Sequence, residues 1–196
     1  KAGRFKSLAT TQRTATTWED VDRYLFASEI AWQTMLNDDL ADSLDEILCD
    51  PQLAAEFDRI ARRFAPGFKP FQYRWAALKL RKEAKSARIR SAVLDAPGRL
   101  SRRMAIGELD TKSIPSEAGL YVISQSEKSK LYVGETLDLR RRFAAAQQKA
   151  WGSFSEDVFV QTIRMDPCGP GRLAWQSCLV QKFKPTLNSF ELRPQA

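Results

Sequence analysis

Hydrophobic positions in the first hundred residues recur with a helical period. A capping box from Thr16 to Glu19 opens a helix of about five turns, and its apolar face carries Val21, Leu25, Trp32 and Leu36. A shorter amphipathic segment follows at 40–48, and Asp50 with Pro51 opens a third helix that ends at Pro66-Gly67. A long helix is predicted over 71–94, up to the breaker at 96–98.

Beyond a basic connector at 99–112 the period shortens to that of strands. Two runs rich in β-branched and aromatic residues, 119–123 and 130–134, predict a hairpin. The elements that follow are a helix at 139–143 capped by Thr136 or Asp138, a strand at 157–163, a turn at 167–171 and a helix that ends before Pro185. The chain is therefore predicted to be α+β, with an all-helical region over 1–112 and a ββαβα domain with a three-stranded antiparallel sheet over 113–196.

Composition restricts the chemistry. Histidine is absent, and three cysteines without paired spacing favour reduced thiols over disulfides or zinc. Acid–base catalysis would have to use Tyr, Lys, Glu, Asp or a metal-bound water. No apolar run approaches a membrane span and no secretory signal opens the chain, so we expect a cytoplasmic protein without a membrane partner. Because the chain does not begin with Met, we expect a fragment or a trimmed chain.

Charge changes sign along the helical region. Residues 17–58 include twelve acidic side chains and one basic one, whereas 59–103 includes fourteen Lys or Arg residues and two acids. The whole chain has a net charge of +7. Two interpretations follow: the acidic and basic helices neutralise each other, or the basic face is free for a phosphate backbone.

Two short motifs in the predicted hairpin carry a resemblance. Gly119-Leu120-Tyr121 and Tyr132-Val133-Gly134 place two tyrosines eleven residues apart, and Arg142 follows the second tyrosine by ten residues. With the Pro-x-x-Asn sequence that ends at Asn188, this pattern resembles the GIY-YIG endonuclease superfamily over roughly eighty residues. The resemblance implies a divalent-metal-dependent DNA endonuclease, with a role in restriction, phage defence, mobile elements or repair.

One position departs from the family pattern. The family's helix carries a glutamate that binds a single Mg²⁺ or Mn²⁺ ion, whereas this chain has Gln176. A neutral amide is a poor ligand for a hard cation, so metal binding at Gln176 is expected to be weak or absent. Three interpretations stay open: an engineered inactive variant, a naturally inactive domain, or an enzyme that uses another carboxylate, with Glu135 the best substitute. The first predicts that Gln176→Glu restores cleavage.

The resemblance also implies roles for the other site residues, Tyr121, Tyr132, Arg142 and Asn188. Tyr121 would act as the general base, provided that positive charge favours its phenolate. Arg142 would supply that charge and clamp phosphate oxygens, Tyr132 would bind the nucleophilic water or phosphate, and Asn188 would fix the site.

Target binding would fall to basic side chains. The expected contacts to nucleic acid are Arg74, Lys79, Arg81, Lys82, Lys85 and Arg88 on the long helix, and Lys130, Arg140 and Arg141 in the C-terminal domain. The expected partner is double-stranded DNA, with a homodimer as the route to double-strand cleavage. The alternatives are a catalytically inactive nucleic-acid-binding module and a helical interaction protein.

Overall fold

Helices come first along the chain and a four-stranded antiparallel sheet follows. The computed structural model describes residues 18–91, 94, 99–144, 150–152, 157–165 and 169–188, with the side chains of 18–19, 84–90 and 169–171 outside the description. The helices are α1 (Trp18–Asn37), α2 (Leu44–Cys49), α3 (Pro51–Phe64), α4 (Pro70–Ser91), α5 (Leu139–Arg142) and α6 (Gly169–Phe183). The strands are β1 (Met104–Ala105), β2 (Gly119–Ser124), β3 (Lys130–Thr136) and β4 (Phe159–Arg164). The predicted α+β class is confirmed.

Side-chain caps set several helix starts. Asp50 Oδ1 accepts hydrogen bonds from the backbone N–H groups of Gln52 and Leu53 at 2.7 and 3.0 Å, so the predicted cap of α3 is confirmed. Of the two cap candidates for α5, Asp138 accepts from the Arg141 N–H at 3.0 Å. The predicted capping box at Thr16 lies outside the described residues.

Helix α1 is buried around most of its circumference. It packs against α3 and α4, and its side chains also reach the sheet and α5. Val21, Ile30 and Met35 are 0% exposed. On the predicted apolar face Val21 and Leu25 are buried, whereas Trp32 and Leu36 are half-buried, and Trp32 packs against the core. A helix enclosed by two layers buries more than one stripe, and therefore buries polar side chains as well.

The sheet has four strands in the order β1-β4-β2-β3, so the prediction of three strands was wrong. The additional strand, β1, comes from the predicted basic connector, and its Ala105 lies opposite Phe159 of β4. The preceding segment extends this pairing, because the Ser101 N–H donates to the Thr162 carbonyl at 2.9 Å. Two residues are too few to show an alternating pattern, so no strand could be predicted at this position.

Hairpin β2–β3 needs glycine at two positions of the sequence motif. Gly134 lies opposite Tyr121, whose phenol ring fills the space that a Cβ at position 134 would need. A Cβ at Gly119 would likewise collide with the main chain of Ile163 in β4. Both glycines are therefore required by the close approach of neighbouring groups.

Other element boundaries differ modestly from the predictions. Helix α4 ends at Ser91 rather than 94, and α6 begins at Gly169, inside the predicted turn. The predicted breaker at 96–98 lies outside the described residues. Among the described helices, none has the length and apolar character needed to cross a membrane.

Candidate functional site

The five predicted catalytic residues lie in and around the β2–β3 hairpin. The rings of Tyr121 and Tyr132 are 5.9 Å apart, and the Arg142 guanidinium lies 5.8 Å from the Tyr121 ring. Gln176 and Asn188 both contact the backbone of Val133, between the two motif residues Tyr132 and Gly134. All five are buried, at most 5% exposed.

Asn188 and Gln176 cover the free edge of β3. The Val133 N–H donates to Asn188 Oδ1 at 2.8 Å, and Asn188 Nδ2 donates back to the Val133 carbonyl at 2.8 Å. Gln176 Nε2 donates to the same carbonyl at 3.0 Å. The Leu187 N–H also pairs with the Leu131 carbonyl, so the segment that ends at Asn188 protects an edge strand. Asn188 therefore holds the β3 backbone through two hydrogen bonds.

Helix α1 places one carboxylate against this cluster at Glu29. The Tyr132 hydroxyl donates to Glu29 Oε2 at 2.6 Å, and Asn188 Nδ2 donates to Oε1 at 3.2 Å. Glu29 is 0% exposed. The group on Tyr132 that was expected to bind water or phosphate therefore donates to an internal carboxylate.

A second carboxylate, Asp22, binds the candidate catalytic arginine. Arg142 Nη2 donates to Asp22 Oδ1 at 3.0 Å and to the Asp22 carbonyl at 2.6 Å. Arg141 and Thr136 both donate to Asp22 Oδ2, at 3.2 and 3.1 Å. The Arg142 guanidinium also lies 4.0 Å from the ring of Phe26 on the same helix. The positive charge of Arg142, which was expected to clamp a phosphate, is therefore balanced by the buried Asp22 carboxylate.

Burial determines the protonation of both tyrosines. Burial raises the pKa of Tyr121 above its usual value of 10.0, although Arg142 acts in the opposite direction. Burial and then Glu29 raise the pKa of Tyr132 well above 10.0. Both phenols are held in the neutral form, which is the opposite of the phenolate that the implied general base requires.

Neither Gln176 nor the proposed substitute ligand, Glu135, fits a divalent metal ion. Gln176 is a neutral amide whose NH₂ group is committed to the Val133 carbonyl. The proposed substitute, Glu135, forms a buried ion pair with Arg172 at 2.7 Å, and burial raises the pKa of its carboxyl group despite that partner. Across the described residues, no group of three or more acidic or cysteine side chains is arranged to hold a metal. Hard cations need several such oxygen ligands.

The predicted nucleic-acid contacts are distributed over several surfaces. Arg74 pairs with Asp58 and Arg81 with Asp45, each at 2.6 Å, so these two basic side chains of α4 neutralise acids of α3 and α2. Lys79 lies over the Trp75 ring, and Lys82 is exposed.

The remaining predicted contacts lie in or beyond the sheet. Lys130 lies over the Phe183 ring, and burial lowers its pKa. Arg140 and Arg141 are exposed residues of α5, whereas the side chains of Lys85 and Arg88 lie outside the described residues.

Sequence reasoning missed Asp22, Glu29 and Arg172. Asp22 and Glu29 are seven residues apart, and two helical turns bring them to one face of α1. That spacing is the feature of the sequence that indicates a shared face. The charge pattern alone places both residues only within the acidic block 17–58. Arg172 lies in the first turn of α6, next to the segment that the sequence predicted as a turn.

Comparisons with protein-family models, with curated proteins and with solved structures found no match to this chain.

Proposed function

We propose that this chain is a nucleic-acid-binding protein whose C-terminal half has the GIY-YIG endonuclease architecture, and that it binds phosphodiester backbones without hydrolysing them. The observation that carries the proposal is the Gln176 amide, which is bound to the Val133 carbonyl where the resemblance calls for a metal-binding carboxylate.

The hairpin and its neighbours support the architectural part. Two tyrosines share a hairpin face, a third long strand pairs beside β2, and a helix brings position 176 to β3. Arg142 follows on α5 and Asn188 closes the edge, as the resemblance implies. These relations concern relative placement, and they are independent of whether a reaction takes place.

Three features oppose hydrolysis. Position 176 lacks a carboxylate, the neutral form of Tyr121 is favoured, and Asp22 balances the charge of Arg142. Transition-state stabilisation needs positive charge directed at the oxygen that becomes negative. An arginine already paired with a buried acid stabilises that oxygen less. No metal-dependent step is therefore assigned to these residues.

Charge supports the binding part. The net charge is +7, and exposed arginines remain at the sheet side of the molecule, including Arg99, Arg140 and Arg164. Exposed cations of this kind bind phosphate backbones without reading the base sequence.

Two measurements on the unmodified protein test the proposal. Fluorescence anisotropy with a labelled duplex should give an affinity that falls steeply with salt, with a slope of roughly −0.9 for each phosphate neutralised. Supercoiled plasmid incubated with Mg²⁺ or Mn²⁺ should stay supercoiled. Nicking or linearisation activity that co-purifies with the protein would overturn the proposal that it does not hydrolyse DNA. The absence of duplex binding at low salt would overturn the proposal that it binds nucleic acid.

A second candidate, a helical interaction protein, is favoured by an exposed stripe on α4. Phe71 and Leu78 are 73% and 39% exposed, and the half-buried Trp75 lies between them at helical spacing. Apolar side chains at such spacing are typical of a helix face that binds a partner. This candidate predicts no salt-dependent affinity for the duplex.

A further inference from the structure

A small pocket opens beside Arg142, between α1, the α3–α4 turn and α5. Its volume is about 190 Å³. Its charged lining consists of Arg23, Arg141 and Arg142 with a single carboxylate, Asp22. Three guanidinium groups therefore face one acid, and the pocket has a positive balance.

Hydrogen-bond donors remain available in this pocket. Arg142 is 5% exposed, and its Nε has no acceptor among the described residues. Arg141 donates to Asp22 through Nη2, while its side chain is 51% exposed. A guanidinium carries five N–H donors in one plane, so the exposed Arg141 can donate to a further anion beside Asp22, whereas the buried Arg142 contributes only positive charge from behind.

The lining of the pocket comes from separate parts of the chain. Ala65, Pro66 and Phe68 form an apolar side, and the Arg23 guanidinium lies 5.2 Å above the Phe68 ring. Gly67 has a φ of +92°, which lets the α3–α4 turn reverse tightly there. Arg23 thus comes from α1, whereas Arg141 and Arg142 come from α5, and the pocket exists only where the two regions meet.

Size and charge together define the ligand. The volume is below the roughly 300–1,000 Å³ of pockets that enclose drug-sized molecules. A phosphate group is small, and its two negative charges match an arginine cluster with several planar donors. An internal phosphodiester carries one charge, so a terminal phosphate with its higher charge matches the positive balance of this lining better.

We infer that this pocket binds a phosphate monoester, as free phosphate or as the terminal phosphate of a nucleic acid strand. The inference deepens the proposed nucleic-acid function and rests on it only for the second source. Arg23 and Arg141 hold the entering phosphate, and Arg142 lies behind them.

Calorimetry and thermal shift with inorganic phosphate test the pocket directly, at an ionic strength matched with chloride. Phosphate should bind and raise the Tm of the unmodified protein, and Arg23→Gln and Arg141→Gln should each weaken binding by about tenfold, which corresponds to about 1.4 kcal/mol. Arg59→Gln removes the same charge from an exposed arginine of α3 outside this pocket, and it should leave phosphate binding unchanged. Should Arg141→Gln fail to fold, Arg23→Gln decides the question.

Oligonucleotides of one sequence, with a 5′-phosphate or a 5′-hydroxyl, distinguish the sources. Tighter binding of the phosphorylated strand, lost in Arg23→Gln, supports the strand terminus. Binding of phosphate without binding of either strand supports the pocket and refutes the nucleic-acid function. Equal binding of both strands, with no response to phosphate beyond chloride, refutes the pocket and leaves the nucleic-acid function standing.

Discussion

Asp22 and Arg142 form an ion pair in which both side chains are only 4% exposed. Removing one member of such a pair leaves the other charge buried without compensation, and this costs about 3–5 kcal/mol. We therefore expect Asp22→Ala to lower the free energy of unfolding by about that amount, measured by urea denaturation.

Asp45 and Arg81 provide a matched control, because they form the same type of pair at 2.6 Å on the surface. Asp45→Ala should cost less than about 1 kcal/mol. Equal losses for Asp22→Ala and Asp45→Ala would contradict the assignment of Asp22 as a structural partner of Arg142.

All four tyrosines have a pKa above the usual 10.0, and burial is the largest cause for each. A raised pKa means that the folded state keeps the proton which the unfolded state releases. This contribution to stability is complete below pH 10.0 and decreases as the pH rises above it.

Ultraviolet titration of tyrosinate should therefore show little ionisation in the folded protein near pH 10, followed by a cooperative rise that coincides with loss of helical circular dichroism. A tyrosine that ionises below pH 10 in the folded protein would contradict this expectation, and it would revive the general-base role of Tyr121.

At the residue scale, the sequence was informative where a motif fixes several positions together. The spacing of Tyr121, Tyr132 and Arg142 predicted that these side chains would be neighbours. The Tyr121 ring lies 5.9 Å from the Tyr132 ring and 5.8 Å from the Arg142 guanidinium. Nothing in that spacing indicates what covers them. Asp22 and Glu29 reach the cluster across more than a hundred residues of sequence, and such long-range contacts depend on packing rather than on local pattern.

At the scale of elements, α1 is the layer that closes the candidate site. Restoring the missing carboxylate by Gln176→Glu would leave Tyr132 bound to Glu29 and Arg142 bound to Asp22. The substitution would also remove the NH₂ group that binds the Val133 carbonyl. We therefore expect the Gln176→Glu protein to leave supercoiled plasmid uncut with Mg²⁺ or Mn²⁺.

The matched control is Cys178→Ser on the same helix, which should give the same uncut plasmid in a parallel preparation. Metal-dependent nicking that appears only with Gln176→Glu would show that α1 does not block the site. That result would favour the interpretation of Gln176 as the single cause of inactivity.

Elements with strong local signals were predicted well, and those defined by their neighbours were not. The Asp50 cap and the β-branched runs of β2 and β3 depend on residues that are adjacent in the sequence, so they can be recognised without knowledge of the fold. Strand β1 has only two residues, and it exists because β4 offers an edge for pairing. The burial of α1 on several faces likewise follows from its position between two layers.

At the scale of the whole molecule, one hydrophobic cluster joins residues from both predicted regions. Ile30 and Phe57 belong to the same cluster as Tyr132 and Leu179. A shared core of this kind couples the unfolding of its parts.

We expect a single calorimetric transition, with coincident loss of near- and far-ultraviolet circular dichroism. The Asp22→Ala protein should shift this transition to lower temperature without splitting it. Two resolved transitions would instead indicate that the helical region and the sheet unfold independently.

The packing of Tyr121 over Gly134, and of Gly119 against Ile163, has a consequence for how such chains are recognised. The close contacts alone require both glycines. A chain with this hairpin would therefore need them whether or not it catalyses a reaction. A glycine at either position therefore reports how tightly the hairpin packs, and a search based on these two glycines would select chains by packing and not by reaction.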